Sequence, residues 1–210
     1  GVCSGGNSTI IPNSNKDCND LCFGDAVIDP CGGCSGGNTD FDLNQSLVPY
    51  KKKKYTCGDL MFVREMYKLK YPENSCSSFD EIINIDQLKN CMDQYLNDVG
   101  DQGWNTNNRL ERYVLSNEKI VGNFPGNANF ATELYWLDIS DNEFWGPFPE
   151  SFCNIHQQGT IRFNNNKFCP PYPDCFTNDP IKQFDLENMI YNNPWCEEKT
   201  ENIQNNPKQD

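Results

Sequence analysis

Between Leu110 and Pro173 the apolar residues return with a period of 24 positions. Leu110, Leu134 and Gln158 open three units. Tyr113, Leu137 and Ile161 follow, then Leu115, Ile139 and Phe163, then Ile120, Phe144 and Phe168. Each unit closes on an aromatic residue and a proline: Phe124-Pro125, Phe148-Pro149 and Tyr172-Pro173. A period of this size marks a supersecondary unit that cannot bury its apolar face alone and stacks on its neighbours. Upstream the pattern is helical. In GDLMFVREMYKLKY the apolar Leu60, Phe62, Val63, Met66, Tyr67 and Leu69 recur every three to four residues, and Tyr71-Pro72 supplies the stop. A second helix is predicted after it, capped by Ser77, Ser78 or Asp80, with Ile82, Ile83, Ile85, Leu88, Met92 and Leu96 as its stripe and Gly100 at its end. Cys76 and Cys91 are expected to tie these two helices together. A short helix is expected within 180–196, ending before Pro194, with Cys196 returning to Cys153, Cys169 or Cys175. The final stretch, EEKTENIQNNPKQD, has the composition of a polar tail.

The three units read LERYVLSNEKIVGNFP, LYWLDISDNEFWGPFP and QGTIRFNNNKFCPPYP. This resembles the leucine-rich repeat in its LxxLxLxxNxLxGxIP form. The resemblance implies an α/β fold, a short leucine-rich-repeat solenoid of about three repeats over residues 110–175. It puts Gly122 and Gly146 at the family's glycine position. Asn142 and Asn166 stand where family asparagines bond backbone groups inside the bend, whereas Glu118 and Pro170 depart from the pattern, implying a first unit without its ladder and a third that bends off as a cap. The helical, cysteine-bearing segment that ends at Trp104 is similar to the N-terminal cap of extracellular leucine-rich repeats. Residues 48–109 are therefore read as linker and helical cap, and 176–210 as C-terminal cap and tail.

Residues 1–47 are read as an irregular, disulfide-rich arm. GVCSGGNST at the start is echoed by GGCSGGNTD from Gly32, with DCNDLCFGDAVIDPCGGC between them. This resembles the tandem DCxGxCxGDAxxDxCGxCxGG repeats of surface and matrix proteins of lower eukaryotes. If Cys22 closes on Cys31 within a unit and each terminal cysteine reaches into the next, the frame implies Cys3 with Cys18 and Cys34 with Cys57. On that frame Gly1 falls at an internal boundary of a longer tandem array.

Composition sharpens the picture. Twelve cysteines, none in a tetrahedral zinc pattern with histidine, point to an oxidising, extracellular compartment. A net charge of −13 makes nucleic acid an unsuitable partner, because phosphate binding needs positive surface. No apolar run approaches the ~20 residues of a membrane span. The 29 asparagines suit caps, turns and polar ladders. Asn7-Ser8-Thr9 and Asn44-Gln45-Ser46 are N-glycosylation sequons. The alternating oxygens of Asp40, Asp42 and Asn44 resemble the opening of a calcium loop, but Lys51 stands where the bidentate glutamate belongs, so no metal or other cofactor is expected.

The resemblance places Arg112 and Val114, then Trp136, Asp138 and Ser140, then Thr160, Arg162 and Asn164 on a concave sheet face. Strands ~4.8 Å apart would set Arg112 beside an exposed Trp136, and Asp138 beside Arg162. Leucine-rich repeats commonly bind ligands on this face, so Arg112, Trp136, Asp138, Arg162 and Asn164 are the candidate ligand-binding residues. No catalytic constellation accompanies the single histidine, His156, and the cysteines are better used as bridges, so no enzyme is expected. The Lys51–Lys54 run reads as a solvated linker, with a protease site or an acidic partner as other readings. The expected function is a structural subunit of an extracellular matrix, appendage or fibril, self-assembling end to end through arm, stack end and tail. The competing expectation is a secreted or cell-surface module recognising a protein or glycan on the concave face.

Overall fold

A computed structural model describes residues 16–18, 20–22, 25–28, 31, 34–35, 46–77 and 85–178. The chain is a disulfide-rich mixed α/β structure. In the arm, β1 (Val27–Ile28) pairs antiparallel with β2 (Cys34–Ser35). β3 (Leu47–Tyr50) and β4 (Lys53–Thr56) then form a hairpin in which Val48 faces Tyr55, both buried. A solvated linker was expected here. The lysine run is instead the turn and outgoing strand of the hairpin, held by that buried pair.

Helix α1 (Cys57–Lys70) carries Leu60, Phe62, Val63, Met66 and Tyr67 into the core, and α2 (Ile85–Asn97) packs on it through Leu88, Met92 and Tyr95. A strand not anticipated from the sequence follows. β5 (Asp101–Trp104) runs antiparallel to β6 (Leu110–Val114), and β6 is parallel to β8 (Trp136–Asp138), itself parallel to β10 (Thr160–Arg162). Tyr113, Leu137 and Ile161 lie side by side across this sheet, so the sequence period is also the spatial period. Leu115, Ile139 and Phe163, then Ile120, Phe144 and Phe168, are buried with them.

A second parallel sheet closes the other side: β7 (Val121–Asn123), β9 (Glu143–Pro147) and β11 (Lys167–Cys169). Here Gly122 lies opposite Phe144 and Gly146 opposite Phe168, so glycine does not face glycine. The slip relative to the repeat is an even one, which leaves each side chain on its own face.

The bends between the two sheets are held by side-chain amides. Asn142 Oδ1 accepts from the Glu118 and Ile120 amides (3.1 and 3.0 Å), while its Nδ2 donates to the Leu115, Ile139 and Ser140 carbonyls (2.8, 3.0 and 3.0 Å). Asn166 repeats the arrangement, accepting from Phe144 N at 3.0 Å and donating to Ile139 O and Phe163 O at 2.8 and 2.9 Å. Glu118, at the equivalent place in the first unit, turns to Lys70 of α1. Asn117, Asp141 and Asn165, one repeat apart, all adopt left-handed backbone (φ 57°, 57° and 55°), a conformation their short polar side chains tolerate best after glycine.

Both ends of the stack are covered among the described residues. Phe62 of α1 meets Tyr113 and Phe124 at ring distances of 5.8 and 5.7 Å. At the far end, α3 (Ser151–Gln158) and α4 (Asp174–Thr177) are joined by Cys153–Cys175. Phe148 there lies 5.1–5.4 Å from Phe152, Phe163, Phe168, Tyr172 and Phe176.

The arm pairings differ from the frame read in the sequence. Cys18 bonds Cys34, not Cys3, and Cys31 bonds Cys57, not Cys22. The β3–β4 hairpin brings the chain back so that Cys57, the first residue of α1, lies 5.9 Å (Cα–Cα) from Cys31, and the arm packs onto the core. Cys34 is thereby taken by Cys18, and the Cys34–Cys57 link does not form. Cys22 is also disulfide-bonded. Cys76 is bonded to Cys91, tying the turn after α1 to the middle of α2. Of the three proposed partners for Cys196, Cys153 and Cys175 hold each other and Cys169 is disulfide-bonded. Cys3 and Cys196 themselves lie outside the described residues.

One core group runs against the apolar logic. The Tyr113 hydroxyl is fully buried and bonded to no described residue, and burial holds its phenol well above the usual range. Tyr113→Phe removes that buried hydroxyl without changing shape, so it is expected to raise stability by about 1 kcal/mol in denaturant titration.

Candidate functional site

The outer face of the four-stranded sheet gathers the polar residues that alternate with the buried Tyr113, Leu137 and Ile161. Arg112 lies opposite Trp136 and Arg162 opposite Asp138, as the repeat register dictates. Their contacts are less symmetrical than the register. Arg162 swings over the Trp136 ring, 5.4 Å from its centroid, within cation–π range, and also stands 3.8 Å from Asp138 Oδ2. Arg112 turns the other way, donating to Asp101 of β5 at 2.6 Å. Gly103 makes room for it: a Cβ at that position would sit 3.1 Å from the Arg112 Cβ.

Trp136 is half-buried, not exposed, because the Arg162 guanidinium covers part of the indole. Asp138 is buried, and its Oδ1 accepts from the Ser140 amide and hydroxyl at 3.1 and 2.7 Å. That carboxylate therefore anchors its own bend and offers only Oδ2 outward. Asn164 is half-buried, its carbonyl accepting from Asp141 N at 3.0 Å. The face thus presents an Arg162–Trp136 platform at its centre, with Arg112 and Asp101 toward β5.

Other candidate residues fall elsewhere. Asn7, Asn44, Asp40 and Asp42 lie outside the described residues, which leaves both sequons and the calcium-loop oxygens without a structural description. Ser46, the last residue of the second sequon, is buried, its carbonyl accepting from Cys57 N at 2.8 Å. Among the described residues no group of three or more His, Cys, Asp or Glu is placed to hold a metal ion, and no helix is long and apolar enough to cross a membrane. A groove of about 1,020 Å³ opens between α3 and α4, with Phe148, Pro149, Tyr172 and Pro173 in its walls. Burial there pushes the Tyr172 phenol up to about 12. The sequence reading missed Asp101 as the partner of Arg112, since nothing in DQGW announces a strand.

No family model matches the chain, and no characterised protein matches it in sequence. Solved structures overlap it in part, two of them as follows. The leucine-rich-repeat ectodomain of the receptor kinase SOBIR1 from Arabidopsis thaliana shares 14% identity over 55% of this chain and 57% of its own, with a TM-score of 0.34. A plant ice-binding protein shares 15% identity over 56% of this chain and 36% of its own, with a TM-score of 0.36. The chain therefore spans less than two thirds of the length of either of these two structures.

Proposed function

We propose that this chain is an extracellular recognition module, a leucine-rich-repeat solenoid of about three repeats with a helical N-terminal cap, that holds a protein or glycan ligand on its concave sheet face. The solenoid reading is supported by the sequence period reappearing as strand register and by the two asparagines in its bends. An extracellular setting is supported by four disulfides among the described residues. The observation that carries the binding reading is the Arg162–Trp136 platform in the middle of the face. Tryptophan and arginine, partly desolvated and pre-positioned, are the residue types that dominate binding energy at interfaces.

The matrix-subunit reading ranks second because the stack end it needed is closed by the buried Phe176, and the rest of its contacts, the tail and much of the arm, lie outside the described residues. The two readings separate in one set of experiments. The protein is screened on arrays of glycans and secreted proteins, and hits are re-measured with Trp136→Ala. Affinity is expected to fall about 30-fold or more, as for a central aromatic anchor. Hits indifferent to Trp136 overturn the concave-face reading. Filaments that disappear when residues 197–210 are removed would establish the subunit reading in its place.

A further inference from the structure

We propose a second, independent binding site: the groove beside the β3–β4 hairpin takes an anionic carbohydrate, its acid groups on lysines and a sugar ring on Trp104. The groove measures about 480 Å³ and is lined by Pro49, Lys51–Lys54, Tyr55, Trp104, Asn105, Thr106 and Asn108. That volume lies within the ~300–1,000 Å³ of small-ligand sites, so the site suits a few sugar units and not a folded partner. It is lined by the hairpin, the end of β5 and the turn after it, and shares no lining residue with the Trp136 platform.

The charges are distinctive. Lys51 is tied to Asp93 of α2. No described carboxylate pairs with Lys52, Lys53 or Lys54, all exposed, so three ammonium groups meet on one hairpin of a chain whose net charge is −13. Two described acids border the groove, Asp93 on Lys51 and Glu133 on the Asn105 amide, while screening over ~8 Å at physiological ionic strength mutes the remoter negative charge, so a ligand there meets Lys52, Lys53 and Lys54 first. The hairpin is also held in place. Thr56 donates through its amide and its hydroxyl to the Asn108 carbonyl (3.1 and 2.8 Å), and Cys57 is bridged to Cys31.

The aromatic wall favours a sugar. Trp104 stands edge-to-face with the buried Tyr55 at 4.9 Å, which fixes the indole plane. Its N–H is already used by Gln102 Oε1 at 3.1 Å, so the half-buried ring offers apolar surface, the surface on which the C–H face of a pyranose packs. Thr106 supplies a hydroxyl beside it, while the Asn105 amide is occupied by Glu133 at 2.7 Å and by its own turn. The chain's net charge of −13 disfavours a long polyphosphate such as nucleic acid.

The test is calorimetric or thermophoretic titration of the intact chain with oligogalacturonides (carboxylate arm) and with chondroitin sulfate oligosaccharides (sulfate arm). Neutral dextran, polyglutamate and single-stranded DNA serve as comparisons. Binding by at least one acidic glycan arm is expected, weakening as salt rises. It should weaken about tenfold in Lys52→Ala/Lys54→Ala, as for the loss of two exposed charge contacts, while Trp136→Ala leaves it unchanged. Trp104→Ala tests the ring: it removes the apolar wall and is expected to weaken glycan binding about tenfold, whereas Trp104→Phe, which keeps that wall, retains most affinity; Trp104→Ala binding as wild type overturns the stacking part of the proposal. The proposal is overturned if neither glycan binds, if polyglutamate or DNA binds as well as they do, or if the double lysine variant binds as wild type with its circular dichroism unchanged.

Discussion

Replacing Asn142 with alanine is expected to destabilise the protein by about 3–5 kcal/mol, because each buried backbone group left without a partner costs about 1–3 kcal/mol and part of the loss is recovered by relaxation. One side chain, 6% exposed, serves two amides and three carbonyls across the bend. Against a stability of ~5–15 kcal/mol for an ordinary domain, this is a large fraction. Asn165 provides the control: its amide reaches only the exposed Asp141 side chain, at 2.7 Å, and its φ of 55° is the main thing alanine would disturb. Asn165→Ala is expected to cost about 1 kcal/mol, the left-handed penalty of a residue with a Cβ. Guanidinium titration gives both numbers, and hydrogen exchange at the Ile120 amide locates the first. Equal effects from the two variants would mean that the asparagine in the bend is not what holds it.

The difference between these two asparagines marks what the sequence makes legible. A position repeated at a fixed period, like Tyr113, Leu137 and Ile161, declares its neighbours, because the parallel strands pair in the register that the period sets. The same reasoning puts Arg112 beside Trp136 and Arg162 beside Asp138, and the strands stand so. Rotamers are not periodic. Arg162 chooses the Trp136 ring and Arg112 chooses Asp101, and that second choice depends on β5, whose four residues include a glycine and carry no alternation to reveal them. The second sheet was equally hidden. Its strands are short, two of them contain a glycine, and its register is slipped from the period that would have predicted it. The cysteine frame failed for another reason: spacing tells how far apart thiols are along the chain, whereas pairing depends on where the chain turns back. The β3–β4 hairpin, built on one buried cross-strand pair, Val48 and Tyr55, is what carried Cys57 to Cys31.

The contact least visible in the sequence carries the other large effect. Asp59, in the first turn of α1, is fully buried and accepts from Arg109 Nε and Nη2 (2.8 and 3.2 Å) and from the Leu110 amide (2.8 Å). Arg109 in turn holds the Phe130 carbonyl and the Thr132 hydroxyl (2.9 and 3.0 Å), so one ion pair pins α1, the first strand of the stack and the loop after the first unit. Asp59→Ala leaves a largely buried guanidinium without its counter-charge and is expected to cost about 3–5 kcal/mol. Glu133, 3.6 Å from Arg109 Nη1 but more exposed, offsets only part of that. Asp59→Asn keeps the shape and an acceptor for Leu110 and should cost less. Its pH dependence then reports the charge. Burial raises the Asp59 carboxyl above the ordinary 3.8, outweighing the hydrogen bonds from Arg109 and Leu110 that lower it. With the folded value above the unfolded one, the folded chain holds the extra proton between the two. The proton-linked part of this group's contribution is therefore full below the ordinary aspartate value and is lost as pH rises through the raised one. The stability deficit of Asp59→Asn relative to wild type is accordingly expected to shrink as pH rises through that window in paired denaturation series. A deficit that widens instead would show that Arg109 holds the carboxylate ionised more strongly than burial opposes it, and that the pair contributes most at neutral pH.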